Sequence, residues 1–172
     1  MKLLIDSPNG FFKRSKEDFL EAVIYMMLIT AVFIVFNEAS IRIGLTKYVP
    51  RVGIIESIII NYFALVTGFF QLVFVFSLLF ARKFGLIKSY VKSFFVLAYA
   101  GTPIFLIGWI PFGIMKGIAL IWAMFFLVIG INIKMNCTYK KSLLAALFII
   151  AIVYAMIVLS RNEILSIVPI YR

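Results

Sequence analysis

Histidine is absent from the 172-residue sequence. That removes imidazole general bases, His-ligated metals and a haem held by a His axial ligand. A single cysteine, Cys137, excludes an intrachain disulfide and a cysteine-cluster metal site. The acidic residues are seven: Asp6, Glu17, Asp18, Glu21, Glu38, Glu56 and Glu163, none in the middle of an apolar run. Charge is scarce throughout, at 14% of residues against about 25% in an average soluble domain. Most enzyme classes lose their usual equipment here, and no catalytic residue, cofactor or metal is expected.

What remains is hydrocarbon. Hydrophobic residues make up 65% of the chain, and the mean hydropathy is +1.13. A soluble fold of this size leaves roughly a third of its chain surface exposed and could not hide that much apolar area. The chain therefore reads as an integral membrane protein. At about 20 residues per span, plus connections, it has room for roughly four to six helices and no sizeable soluble domain.

Uncharged runs place the spans. They predict an all-α bundle of five transmembrane helices in one domain, at about 19–41, 57–81, 93–108, 117–133 and 142–160. Only Lys116 separates the third and fourth runs, so a tight interfacial turn is expected at 109–116. Trp109 favours the headgroup region, Pro111 disfavours a continuing helix, and Lys116 can snorkel outward. One long broken helix, giving four spans, is the competing reading.

The net charge of +10 reads as topology and attraction to anionic headgroups, not as nucleic-acid binding, because the basic residues flank apolar segments. Lys and Arg number 11 on the side of the N-terminus and the 82–92 and 134–141 loops, against 6 on the other. The positive-inside rule then puts the N-terminus in the cytoplasm and the C-terminus outside. Met1–Ile5 is too short an apolar stretch for a cleavable signal. Ser7-Pro8 looks like a helix N-cap with proline at the first position, and Phe11-Phe12-Lys13-Arg14 is expected to rest at the cytoplasmic interface with its rings in the acyl boundary. Ser15 with Asp18 fits a capping box opening the first span.

Few intramembrane positions are polar. Asn61, Ala64, Gly68 and Gln71 share one helix face, which reads first as packing glue between helices and second as the lining of a conduction path. In the third span Pro103 removes a backbone donor and clashes with the carbonyl of Tyr99. Gly101 and Thr102 beside it favour a kink, with Thr102 able to satisfy a freed carbonyl. Glu21 and Glu38 bracket the first span and are expected to stay hydrated, Glu38 within reach of Arg42 at i+4. Gly113 and Gly117 have dimer spacing but sit in the expected turn; Ala151 and Ala155 are better placed for packing. Cys137, in a basic juxtamembrane loop, is a free thiol by default and an acylation site as the alternative. Lys83, Lys88, Lys140 and Lys141 are the candidate cytoplasmic contacts.

Ser7-Pro8 with Phe11-Phe12, then Ala98-Tyr99-Ala100-Gly101-Thr102-Pro103, Trp109, Pro111, Trp122, Gly130 and a basic loop before Ser142 together resemble the Yip family of Ypt-interacting multipass membrane proteins, in its prokaryotic branch. The resemblance spans roughly residues 7–160. It implies five spans, a cytoplasmic N-terminus and an external C-terminus, the topology that the charge count gives independently. Eukaryotic relatives are implicated in Rab-type GTPase binding and vesicle traffic. The long cytoplasmic region that carries much of that binding has no counterpart before the first span here, so the resemblance implies the fold, the topology and a scaffold-like role only.

The expected function is a non-enzymatic interaction or membrane-organising module in a prokaryote-like cell membrane, binding lipids, other membrane proteins or itself. The alternative is a small oligomeric transporter or channel component, with Asn61, Gln71 and the Tyr99–Pro103 kink lining the route.

Overall fold

The computed structural model describes residues 7–15, 18–43 and 53–167, with side chains through 153. Among these the chain is helical, with no strand: α1 (Pro8–Arg14), α2 (Phe19–Arg42), α3 (Ile54–Leu78), α4 (Ala81–Phe84), α5 (Leu86–Ala100), α6 (Thr102–Ile107), α7 (Gly113–Lys134) and α8 (Tyr139–Ile167).

Local chemistry sets most of the ends. Ser7 Oγ accepts from the Gly10 N–H at 3.3 Å and Pro8 occupies the first turn of α1, where its missing donor costs nothing. Ser15 closes α1, its hydroxyl donating to the Phe11 carbonyl at 2.7 Å. The cap of α2 is therefore not the expected Ser15–Asp18 box. Asp18 itself is the N-cap and accepts from the Glu21 N–H at 3.1 Å. Gly85 joins α4 to α5 with φ +79°, a conformation that excludes most side chains. α7 ends in a Schellman-type turn: Asn136 takes φ +48°, and the Cys137 N–H reaches back to the Asn132 carbonyl at 3.2 Å.

Four helical stretches are long and apolar enough to cross a bilayer: Phe19–Arg42, Ile54–Leu78, Leu86–Ile107 (α5 and α6 together) and Gly113–Lys134. The chain is a multi-pass helical membrane protein. The fifth expected span, 142–160, falls within α8, but its side chains from 154 onward lie outside the described residues, as does Ala155. A non-helical turn between Gly108 and Phe112 separates the third span from the fourth, and Lys116 stands inside the first turns of α7.

Two boundaries move for one reason. The second span begins at Ile54, with Glu56 in its first turn, where a carboxylate favours the helix dipole. The third begins at Leu86, seven residues before the expected 93, because Lys88 and Lys92 are accommodated within the helix. A charged residue marks the end of an uncharged run and not the end of a helix.

α5 is the central element. It packs against α2, α3 and α7, and 61% of the most apolar window of its span is buried, against 6% for α3. The core gathers around it as Phe94, Phe95, Val96 and Ala98, with Met26, Val73, Phe76, Phe126 and Ile131 from the flanking helices. α1 is part of that core. Phe12 is fully buried, and a Cβ on Gly130 of α7 would come within 3.1 Å of its ring and 2.9 Å of Val96. Phe11 stacks on Phe95 and tilts over Tyr99 at 4.9 Å. The expected acyl-boundary position of these two rings is thus corrected: α1 is a plug between α5 and α7, with Asn9, Lys13 and Arg14 exposed on its outer side.

Candidate functional site

At the end of the bundle that carries α1, three lysines converge on the C-terminus of α7. The last carbonyls of a helix lack intrahelical partners and carry the negative end of its dipole. Lys83 Nζ donates to the carbonyls of Met135 at 2.8 Å and Asn136 at 2.7 Å. Lys92 Nζ donates to the Lys134 carbonyl at 2.8 Å, and Lys134 Nζ to the Ser15 carbonyl at 2.7 Å. Lys83 and Lys92 also lie over the ring of Phe84, and Lys134 over Phe95. Together these bonds tie α1, α4, α5 and the α7–α8 connection into one basic end.

The four lysines expected as contacts divide here. The ammonium of Lys83 is engaged by backbone carbonyls, whereas Lys88, Lys140 and Lys141 are exposed. Lys92 and Lys134 are buried, and sequence reasoning missed both. A signal existed for Lys92: it lies on one helical face with Ser89 and Val96, both buried.

The Tyr99–Pro103 segment forms the joint between α5 and α6. Pro103 cannot donate to the Tyr99 carbonyl, and the Thr102 hydroxyl does so instead at 2.7 Å. Tyr25 of α2 bonds Thr102 Oγ1 at 2.6 Å and stacks on Tyr99 at 4.5 Å, while Tyr99 Oη reaches Glu21 at 3.5 Å. A Cβ on Gly101 would press on Phe105 and the Leu97 carbonyl, and one on Gly108 would collide with the Ile104 carbonyl oxygen. The hydroxyls therefore hold two helices together at a backbone break.

At the opposite end Glu38 is buried, contrary to the expected hydration. Arg42 Nε donates to Glu38 Oε1 at 2.9 Å and Ser57 Oγ to Oε2 at 3.0 Å, with Asn61 Nδ2 donating to Ser57 Oγ at 3.3 Å. The i+4 pair is present, but Ser57 on α3 supplies the partner that draws the carboxylate inward.

Among the described residues the face of Asn61, Ala64, Gly68 and Gln71 is not packed against another helix. Asn61, Ala64 and Gln71 are exposed, and a Cβ on Gly68 would meet nothing within 4 Å. Ala64 and Gly68 instead form part of the wall of an apolar cavity of about 510 Å³. Neither Asn61 nor Gln71 lines it, so the structure does not bring those amides together with the Tyr99–Pro103 joint. Cys137 is half-buried beside the Met135 carbonyl, and Gly113 and Gly117 stand exposed in α7. Ala151 is exposed in α8.

The family model described as the Yip1 domain matches residues 2–160. Neither the curated proteins nor the solved structures compared with the chain gave a match.

Proposed function

The chain belongs to the Yip1 domain family, and on that premise we propose that it is a non-enzymatic interaction module that organises its membrane by binding anionic lipid headgroups and other membrane proteins. In this reading α8 is the fifth span, the N-terminus is cytoplasmic, the C-terminus is external, and the host is the cell membrane of a prokaryote-like cell. The observation that carries it is the division of labour at the basic end. Lys83, Lys92 and Lys134 are engaged in holding the helices, and Lys88, Lys140 and Lys141 stand exposed around them. A rigid cationic platform at headgroup depth attracts anionic lipid at about 1 kcal/mol per basic residue. The weakly buried α3 supports a protein-facing role, because its outward residues Ile55, Ile59 and Phe63 are open to a neighbouring helix or lipid. The hydroxyls of Tyr25 and Thr102 already bond each other and the backbone, which favours structure over chemistry at that joint.

The test is extraction of the protein with its surrounding lipid in polymer-bounded discs, comparing wild type with Lys88→Gln/Lys140→Gln/Lys141→Gln. Enrichment of anionic lipid in the wild-type discs and its loss in the variant supports the proposal. Identical lipid composition, together with no reproducible protein neighbour crosslinked to α3, overturns it.

A further inference from the structure

The apolar cavity lies at one depth on four of the helices that bound it. At ~1.5 Å per residue, its lining on α3, α5, α7 and α8 falls about 9–21 Å from the basic end. A hydrocarbon core about 30 Å thick has its midplane in that interval. Each lining side chain is hydrocarbon or thioether, or the position is glycine; Gly68, Leu72, Ala100, Leu127 and Ile149 mark its sides and Phe105 its far end. Water would find no side-chain partner there.

The lining and its flanking charge select the occupant. A volume of about 510 Å³ bounded by hydrocarbon is ample for a slender acyl chain. α3 packs on α2 and α5, and α8 on α7, while among the described residues α3 and α8 barely meet, which leaves the gap between those residues as the way in from the bilayer. Exposed cations flank that gap at the basic end: Arg82 just after α3, and Lys140 and Lys141 at the start of α8.

We propose that this cavity binds one acyl chain of an anionic phospholipid, whose phosphate sits at the basic end against Arg82, Lys140 and Lys141. The inference rests on the reading of that end as a headgroup contact and adds to it a specific site for the tail. The site would fix one lipid as a component of the bundle, filling a space that protein side chains leave open at the centre of the membrane.

Gly68 offers a clean test, because a side chain there enters open space and glycine is the weaker helix former. The detergent-solubilised protein is titrated with palmitoyl-oleoyl phosphatidylglycerol, and separately with the matching phosphatidylcholine, and bound lipid is read by native mass spectrometry. Wild type is expected to retain one phosphatidylglycerol. Gly68→Phe should weaken that binding roughly tenfold or more, the equivalent of about two buried methylenes. Its melting temperature without lipid should stay at or above that of wild type; should it melt early, the smaller Ala64→Leu on the same wall decides. Gly117→Phe, which also enters open space but lies outside the cavity, should bind as wild type does. Lys140→Gln/Lys141→Gln should lose the preference for phosphatidylglycerol over phosphatidylcholine while still holding a chain. Undiminished binding by both cavity variants overturns the tail site, and if the lysine variant alone weakens binding the headgroup reading survives. Equal loss in Gly117→Phe, or no retained lipid in wild type, also overturns the tail site.

Discussion

The hydroxyl of Tyr25 lies 2.6 Å from Thr102 Oγ1, 77 positions away in the chain, and the direction of that bond is fixed by a third residue. Thr102 has one hydroxyl proton and gives it to the Tyr99 carbonyl that Pro103 leaves without its helical donor. Tyr25 is therefore the donor to Thr102. The helix break is repaired from within α6, and the repairing group is held in turn from α2.

Thr102→Val should accordingly cost more than Tyr25→Phe. The first leaves a buried carbonyl and a tyrosine hydroxyl both without their partner, at about 1–3 kcal/mol. The second removes one donor, at about 0.5–1 kcal/mol for a hydrogen bond inside a membrane protein. Unfolding in detergent of the two single variants and the double variant checks this, with the double expected close to Thr102→Val alone.

Phe12 and Gly130 form a second coupled pair. Phe12→Ala should cost about 3–5 kcal/mol as a large-to-small change in the core, although α1 precedes every span. Gly130→Leu should cost about 1–3 kcal/mol or more, because its first atom already crowds Phe12 and Val96. Combining Gly130→Ala with Phe12→Leu should recover part of the loss of Gly130→Ala. Protease cleavage within α1, slow in the wild type and fast in Phe12→Ala, reports the same docking independently.

These two pairs also mark what the sequence could convey. The Ser7-Pro8 cap and the Thr102–Pro103 repair are local, depending on groups within four residues, and both can be read from residue types alone. The seating of Phe12 on Gly130 depends on a contact more than a hundred positions long, for which periodicity gives no cue. Glu38 and Lys92 were misplaced for a related reason. Charge signals an interface only while the side chain lacks a partner in the fold, and Ser57 and the end of α7 supply partners from other helices. The Asn61–Gln71 face is periodic enough to suggest packing, but periodicity does not say whether a neighbour arrives to fill it.

Glu38 should be more sensitive to losing its cation than to losing its own charge. Among the described residues, Arg42→Met leaves a carboxylate that is 3% exposed with Ser57 as its partner, whereas Glu38→Gln keeps the shape and the Ser57 bond. Arg42 itself is partly solvated, so the cost of Arg42→Met is set at about 1–3 kcal/mol, below that of a fully buried pair. Glu38→Gln should cost clearly less, and Arg42→Met/Glu38→Gln should recover much of the loss. Thermal unfolding in one detergent orders the three variants.

The lysines of the basic end should separate by role. Lys83→Gln removes the donor to two carbonyls at the end of α7 and should lower stability by about 1 kcal/mol. Lys88→Gln and Lys140→Gln should leave the melting temperature unchanged within error, because their side chains are exposed. If Lys88→Gln destabilised the protein as much as Lys83→Gln, the division between holding and contacting lysines would fail.

Orientation can be decided by single cysteines at the two ends of α7. In a Cys137→Ser background, Thr138→Cys places an exposed thiol at the basic end, and Phe112→Cys places one in the turn before α7, where the native side chain is 65% exposed. A membrane-impermeant maleimide added to intact cells should label Phe112→Cys at once and Thr138→Cys only after the cells are opened. The expectation follows from the charge difference: an excess of lysine and arginine holds a loop on the cytoplasmic side, and by sequence the segments before the first span, at 82–92 and at 134–141 hold 11 of the 17 such residues. Equal labelling of both thiols from outside would mean a mixed population, and reversed labelling would place the cationic platform outside, where it could not meet the anionic inner leaflet. A tag appended after Arg172 completes the experiment, because an odd number of spans requires it to be accessible on the same side as Phe112→Cys. Accessibility on the side of Thr138→Cys would instead show that α8 does not cross.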